Sequence, residues 1–427
     1  MIILETNLLE ENVSYLYKYK GSVPVGILGQ IDDLIGVTEP GYKAQQMNSY
    51  LNVMTADKYL QFGPDKCKTM LVGNIKKEYD FLHTKLQVDT WKTTYTQEGN
   101  IIDTFIGKTD IEEVPDILYL GVAISCDGKN EKNIIHKQNK SFGTKKQIMN
   151  MVSDLGKYTI ECGFIYLNSL LRGSILYGAK AMIDMKEKDF RKIEQIEEDQ
   201  MRLLFDTTLN CSLHLLYLES GQVPARFQIK RMQLNMYQYI LKQKESSLLY
   251  SMLMAQIEDP VKNDFYSTVC AILAEVNINQ SQEEIKQMTQ NQFKSLVKEK
   301  CKQAAFSNLI EKQKAGSKGR DIKYSFLEMA DYLLPQARIS IKDQRELFAI
   351  RSRTNPLGAN MGKIEYCVTK CGEILNNSHI FQCPLLNKQN RNCGMDKVLN
   401  GCTTEKKECL KIWKENMNTI NEYLGTQ

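Results

Sequence analysis

The sequence predicts an α+β fold that is mostly helical, with a small sheet region first and a cysteine- and histidine-containing module last. Short apolar runs separated by turn residues fill about the first 125 positions. After about residue 140, apolar residues recur every three or four positions. Cysteines and a histidine cluster near the end. The expected units are residues 1–125, 126–260, 261–345 and 346–427.

The bulk composition is that of an ordinary folded protein. Of 427 residues, 42% are hydrophobic and 25% are charged, which excludes a disordered or collagen-like chain. The formal net charge of +4 permits a polynucleotide partner without requiring one.

The sequence also bears on the compartment. The N-terminal sequence has no basic segment followed by a long apolar stretch, so we expect neither a secretory signal nor a membrane anchor. The 12 cysteines are then expected to stay reduced. Together these features predict an intracellular protein, nuclear or cytoplasmic, without a membrane partner.

The first region is predicted to contain several strands and one helix. Residues 43–59 carry Ala44, Met47 and Leu51 at helical spacing. The expected strands, each a short apolar run, are 23–28, 31–37, 69–72 and 117–124.

The second region is predicted to be a helical bundle between about residues 140 and 256. Apolar residues recur there at three and four, as in Phe164, Leu167, Leu171 and Ile175. Turn chemistry predicts interruptions at 206–210 and 221–224. Two later polar stretches, 277–284 and 311–320, are predicted loops that flank another helical segment.

Two adjacent carboxylates, Asp32 and Asp33, stand in an otherwise apolar stretch. Two buried and unpaired carboxylates would be costly, whereas a tight turn between strands with a bound divalent cation would remove that cost. Carboxylate oxygens suit Mg²⁺, and two-metal sites use them to hold both ions during phosphoryl transfer. A solvated turn is the alternative.

Further motifs follow this pair in a fixed order. They are Gly63-Pro64 with Lys66 before an apolar strand, Tyr119-Leu120-Gly121, Leu176-Tyr177-Gly178, and an E-x-G-x-x-P segment from Glu219. The ordered set resembles the end of the palm and the thumb of LINE-type reverse transcriptases of non-LTR retrotransposons. The resemblance covers most of the chain and implies a partial palm sheet followed by a helical thumb.

The resemblance implies roles for these residues. Asp32 would bind the catalytic Mg²⁺ with support from Asp33, and Lys66 would lie near the departing pyrophosphate. The turn at 119–121 would hold the primer end. The implied reaction is RNA-directed DNA synthesis with an RNA template and a DNA primer. A buried hairpin at 119–121 and a surface position for Lys66 are the structural alternatives.

One part of the family pattern has no match in this sequence. Family members carry another metal-binding aspartate well upstream, whereas only 31 residues precede Asp32 here and none of them fits that role. A two-metal site short of a carboxylate should bind its cations poorly, so we expect that the chain alone does not extend a primer. A truncated reading of the gene, a true loss, and a second chain that supplies the missing half stay open. The alternative function is non-catalytic nucleic-acid binding.

Basic residues in the helical region predict a surface for phosphates. Arg226 and Lys230 alternate with apolar residues at helical spacing, so these two side chains are expected to face solvent together with Lys145 and Lys146. Such a face could follow a nucleic-acid backbone. An ordinary solvated helix surface is the alternative.

The C-terminal module contains a C-x3-C-x7-H-x3-C arrangement. Three thiolates and one imidazole suit a closed tetrahedral Zn²⁺ site, and similar CCHC knuckles follow the thumb in non-LTR elements. Unrelated reduced thiols beside a surface histidine are the alternative. The four candidate ligands are Cys367, Cys371, His379 and Cys383.

Overall fold

The computed structural model is mostly helical with small sheets, which confirms the predicted α+β class. The structure describes residues 2–3, 15–17, 23–25, 27–30, 33–37, 42–57, 63–72, 86–95, 101–154, 160–207, 211–316, 320–355, 366–367, 371, 373–383, 386 and 393–425.

The strands that the structure describes are short apart from one long hairpin, and they lie before residue 126. Their bounds are β1 Ile2–Ile3, β2 Tyr15–Tyr17, β3 Val23–Val25, β4 Ile27–Gln30, β5 Asp33–Gly36, β6 Lys68–Thr69, β7 Gln87–Tyr95, β8 Ile101–Asp110, β9 Glu112–Glu113, β10 Asp116–Tyr119 and β11 Val122–Ser125.

Among the described residues, one α-helix lies in the strand region and the other α-helices follow it. Within the described part of the chain, none of them combines the length and apolar character needed to cross a bilayer. Their bounds are α1 Tyr42–Asp57, α2 Glu131–Asp154, α3 Ile160–Tyr166, α4 Arg172–Ile175, α5 Glu187–Phe205, α6 Leu213–Ser220, α7 Ala225–Leu241, α8 Leu248–Glu258, α9 Phe265–Glu275, α10 Gln282–Gln287, α11 Gln290–Ala315, α12 Ile341–Ser352, α13 Asn377–Gln382, α14 Met395–Asn400 and α15 Thr403–Gly425.

The described strands form several small sheets rather than one large one. β1, β4 and β5 make an antiparallel sheet, β6 pairs with β9 in parallel, and β2–β3, β7–β8 and β10–β11 are separate antiparallel pairs. The predicted strands near residues 23–37 and 117–124 and the predicted helix near 43–59 are confirmed. The long β7–β8 hairpin was not predicted from the sequence.

One continuous cluster of buried apolar side chains joins the helical region to the C-terminal module. It includes Phe164 of α3, Leu234 of α7, Val297 of α11, Phe348 of α12 and Trp413 of α15. Each of these five side chains is no more than 3% exposed. The helical region and the C-terminal module therefore share a core, so a packing change in one affects the other.

The predicted interruptions of the helical region are largely confirmed, whereas two predicted loops are partly wrong. α5 ends at Phe205, and residues 221–224 separate α6 from α7. In the stretch 277–284, the Ser281 hydroxyl accepts from the Glu284 N–H while the Glu284 carboxylate accepts from the Ser281 N–H. This capping box starts α10 inside the predicted loop. α11 likewise continues to Ala315, because its last turns remain packed on the core.

Candidate metal centre and nucleic-acid surface

The four predicted cysteine and histidine ligands lie together. The ligand atoms of Cys367, Cys371, His379 and Cys383 all lie within 4.8 Å of one another. The Sγ atoms of Cys367 and Cys383 are 3.8 Å apart, and those of Cys371 and Cys383 are 3.9 Å apart. Thiolates about 2.3 Å from a tetrahedral zinc lie ~3.8 Å from each other. The arrangement could therefore hold a metal ion such as zinc.

Local backbone structure brings the four side chains to one point. His379 and Cys383 are one helical turn apart at the end of α13, and the Cys383 N–H donates to the His379 carbonyl at 2.7 Å. The Asn376 side chain caps α13 by accepting from the His379 N–H at 2.9 Å. On the other side, the Cys367 N–H donates to the Glu373 carbonyl at 2.9 Å.

Three of the four ligand residues are buried, and Cys371 is half-buried. Cys367 is 4% exposed, Cys383 is fully buried, and His379 is 8% exposed. Behind it, the Phe381 ring packs on Trp413 of α15 with ring centroids 5.7 Å apart. Four protein ligands in a closed site leave no position for a substrate, which is the pattern of structural rather than catalytic zinc.

One residue of the aspartate pair, Asp33, lies in the β4–β5 hairpin. β4 and β5 pair antiparallel, with Gln30 opposite Asp33. Asp33 is the first residue of β5. Asp32 lies outside the described residues, so the structure does not test its proposed metal-binding role.

Lys66 lies at the end of a short helical turn, Pro64–Lys66, and it is exposed. Its backbone N–H donates to the Gly63 carbonyl at 2.9 Å, which closes the Gly63-Pro64 turn. Among the strands that the structure describes, no hydrogen-bonded pairing joins β6 to the β4–β5 hairpin or to β10–β11. A single palm sheet of these strands is therefore not observed in the described residues.

The Tyr119-Leu120-Gly121 motif forms a tight hairpin turn. Tyr119 pairs with Val122, and the two residues between them have positive φ values of 47° and 75°. Two such residues make the hairpin turn that matches the twist of the strands. Leu120 is a non-glycine residue in this conformation and is 38% exposed. Backbone strain of this kind has to be stabilised by its surroundings.

This turn contacts the Leu176-Tyr177-Gly178 motif, which lies more than fifty positions later in the sequence. A Cβ built at Gly121 would lie 3.3 Å from Cε1 of Tyr177, and one built at Gly178 would lie 2.5 Å from Cγ2 of Val122. The Lys137 ammonium of α2 also donates to the Tyr177 carbonyl. The 119–121 turn and the 176–178 motif are thus in direct contact.

The expectation that Arg226 and Lys230 face solvent is wrong. Both are only 9% exposed. The Arg226 guanidinium donates to both Glu187 and Glu194 at 2.5 to 2.9 Å, and the Lys230 ammonium donates to Glu275 Oε2 at 2.6 Å. Burial lowers the pKa of Arg226, but the Glu194 and Glu187 carboxylates outweigh burial and raise this pKa. The acids come from α5 and α9. The spacing of apolar residues along α7 alone does not reveal these partners.

Lys145 and Lys146 have different environments on α2. The Lys145 ammonium lies 3.1 Å from Asp199 Oδ2 of α5, with its side chain 21% exposed. Lys146 is exposed, as predicted. Of the four predicted phosphate-facing cations, Lys146 therefore keeps the position that the sequence analysis expected.

Sequence reasoning missed a group of buried acids and their cationic partners. Glu197 is fully buried, accepts from Arg172 Nε at 2.7 Å, and also accepts from the Tyr217 hydroxyl at 3.2 Å. Burial raises the pKa of Glu197, while Arg172 lowers it. Its spacing on α5 offered a signal, because Glu194, Glu197 and Glu198 fall near the apolar stripe of that helix.

No known protein family, curated protein or solved structure matches the chain.

Proposed function

We propose that the chain is the palm-end, thumb and zinc-binding portion of a LINE-type reverse transcriptase, and that it binds a primer–template of RNA and DNA. The observation that supports this most directly is the contact between the 119–121 turn and the 176–178 motif. Both were selected from the sequence by the same resemblance.

Two further features support the proposal. The strained, exposed turn at Leu120 is of the kind that clusters at functional sites. The Gln30–Asp33 register fits a hairpin that carries the aspartate pair. By the resemblance, Asp32 and Asp33 would hold Mg²⁺, which would stabilise charge on the transferring phosphate. Lys66 would neutralise charge on the departing pyrophosphate.

The C-terminal cluster is proposed to bind Zn²⁺ as a structural ion. Its sulfur–sulfur distances of 3.8 and 3.9 Å fit tetrahedral thiolate coordination. Because α15 packs on α13, which carries His379, the ion would stabilise the C-terminal helices against the core shared with the thumb.

The resemblance assigns Asp32 and Asp33 but no third catalytic carboxylate, so we propose binding without synthesis. The test is a primer-extension assay with the full 427-residue chain, Mg²⁺ and an RNA template annealed to a DNA primer, alongside binding by fluorescence anisotropy. We expect salt-sensitive binding that Asp32→Ala leaves unchanged, and no extension product. Primer extension that depends on Asp32 would overturn the proposal that the chain does not synthesise DNA. Absence of salt-sensitive binding would overturn the whole proposal.

A further inference from the structure

A cavity of about 300 Å³ lies between the 221–224 turn, α4, α7 and α11. Cationic side chains reach it from three helices: Arg172 from α4, Arg231 from α7, and Lys298 and Lys302 from α11. The amides of Gln222 and Gln228 also line it. Among the residues that the structure describes, no aspartate or glutamate lines this cavity. We call it the cationic cavity.

The charges in the cationic cavity are unequally neutralised. Arg172 already has a carboxylate partner in Glu197 at 2.7 Å, and it also donates to the Gln222 side chain at 3.0 Å. Lys302 has a distant partner, Glu328, at 3.8 Å. Within the described part of the chain, Arg231 makes no hydrogen bond or ion pair with an acid.

The missing counter-charge is clearest at Arg231. Its guanidinium is partly buried, and burial lowers the pKa of Arg231, while smaller contributions come from Cys301, which raises it, and from Arg172, which lowers it. The neighbouring Cys301 supplies no anion, because burial raises its pKa to about 12 and keeps the thiol neutral. A partly buried guanidinium without an anion is unfavourable, since burial disfavours a charge that has no partner.

We propose that the cationic cavity binds a phosphate group. A guanidinium fork matches the oxygens of phosphate and donates two parallel hydrogen bonds to them. Lys298 and Lys302 are four positions apart on α11, so their ammonium groups lie on one helix face and can converge on the same anion. Amide donors from Gln222 and Gln228 suit the remaining oxygens.

The phosphate could belong to a polynucleotide backbone or to a small phosphate ester. The polynucleotide source rests on the proposed function, whereas phosphate binding by the cavity does not. The cavity adjoins the E-x-G-x-x-P turn, because Gly221 and Gln222 line it. A phosphodiester held there would lie at the junction of α6 and α7.

The first arm of the test uses inorganic phosphate and the zinc-loaded full chain. Thermal unfolding is measured for the unsubstituted protein, Arg231→Gln, Lys298→Gln and Lys300→Gln, in phosphate and in chloride at matched ionic strength. Lys300 is the matched control, because it lies on α11 but does not line the cavity. Phosphate should stabilise the unsubstituted protein and Lys300→Gln. The Kd for phosphate should be about tenfold or more higher in Arg231→Gln than in the unsubstituted protein, because hydrogen bonds between charged groups are strong.

Arg231→Gln also separates the proposal from a folding defect. Removal of an unpartnered charge should leave the variant at least as stable as the unsubstituted protein in chloride, and less stable than it in phosphate. Equal stabilisation of both proteins by phosphate, or stabilisation of neither, would overturn the proposal.

The second arm identifies the source of the phosphate. The affinity for an RNA–DNA hybrid is measured against salt concentration for the unsubstituted chain, the Arg231→Gln/Lys298→Gln double variant and Lys300→Gln. A polynucleotide source predicts that the salt slope falls by about one for each phosphate contact removed. An unchanged slope with lost phosphate stabilisation would assign the cavity to a small phosphate ester. If the variants lose stabilisation by phosphate but the unsubstituted chain binds no hybrid, the proposed function is rejected and the phosphate site is retained.

Discussion

Gly178 packs against Val122 with a left-handed backbone φ of 67°, and a Cβ at Gly178 would lie 2.5 Å from Cγ2 of Val122. Val122 begins β11, directly after the 119–121 turn. The close approach that joins the two motifs thus requires a residue without a side chain at position 178.

Gly178→Ala should destabilise the protein by about 2–4 kcal/mol, because it adds both left-handed backbone strain and a clash in a packed site. Urea unfolding measures the change. Gly173→Ala is the control: Gly173 is exposed in α4, and a Cβ there would meet nothing within 4 Å. A neutral or slightly stabilising result is expected for it. Equal effects of the two substitutions would show that the motifs are not in contact.

Addition of Val122→Ala should relieve part of the cost of Gly178→Ala. The double variant should therefore be less destabilised than the sum of the single variants, by roughly 0.5–2 kcal/mol. The backbone strain at position 178 should remain, so full recovery is not expected. Simple additivity in a double-mutant cycle would contradict the contact.

Glu219 and Arg351 form a buried ion pair that links α6 to α12. Arg351 Nη2 lies 2.7 Å from Glu219 Oε1, with the side chains 4% and 1% exposed, and Arg351 Nη1 donates to the Val398 carbonyl at 2.7 Å. Although burial opposes it, Glu219 raises the pKa of Arg351. This pair ties the E-x-G-x-x-P segment to the C-terminal helices.

Arg351→Met should lower the free energy of unfolding by about 3–5 kcal/mol, because it leaves the Glu219 carboxylate buried without its cationic partner, with the neutral Tyr324 hydroxyl as a remaining donor. Arg353→Met is the control, since the Arg353–Asp321 pair is exposed, and its loss should cost less than about 1 kcal/mol. Chemical denaturation compares the two. Similar small effects for both variants would show that the Glu219 carboxylate finds other partners.

Lys137 should make the stability rise with pH in the alkaline range. It is 2% exposed, and burial, assisted by Lys140, lowers its pKa from 10.5 to about 8. Between these two values the unfolded chain holds a proton that the folded chain has released, so the free energy of unfolding increases with pH. Below pH 8 both states are protonated and the gain is absent.

Comparison with Lys137→Met isolates this effect from other groups. The stability of the unsubstituted protein relative to Lys137→Met should rise by on the order of 2 kcal/mol between pH 7 and 10. Lys146→Met, which alters an exposed lysine of the same helix, should show no such trend. If the stability difference between the unsubstituted protein and Lys137→Met did not change with pH, Lys137 would have the ordinary pKa of lysine in the folded protein.

Metal content tests the cysteine and histidine cluster. Purified protein should contain one zinc ion per chain, and Cys383→Ser should lose it and unfold the C-terminal helices more readily. Cys402→Ser is the control, because the Cys402 thiol is exposed and lies outside the cluster. Cobalt substitution should give the absorption of tetrahedral thiolate coordination. Zinc retained equally in both variants would contradict the assignment.

Features encoded by local sequence were predictable. The apolar period placed Leu167 and Leu171 in the core, and the turn residues at 221–224 separated α6 from α7. The cysteine and histidine spacing predicted a cluster whose ligand atoms do meet. In each case the signal lies within a few neighbouring positions, so no knowledge of distant contacts was needed.

Features set by distant partners were not predictable in the same way. Arg226 and Lys230 were expected in solvent, but acids on α5 and α9 neutralise them. A basic residue on a helix looks the same in sequence whether an acid from another helix reaches it or not. The β7–β8 hairpin was missed because its strands, rich in threonine and charged residues, lack a clear apolar face.

The proposed binding of nucleic acid through its phosphates is tested most directly by a salt titration of the chain's affinity for an RNA–DNA hybrid. We expect log K to fall linearly with log salt, with a slope that corresponds to several phosphate contacts, and we expect Lys146→Gln to reduce that slope by about one. A slope near zero, or affinity no greater than that of an unrelated protein of the same net charge, would contradict the claim.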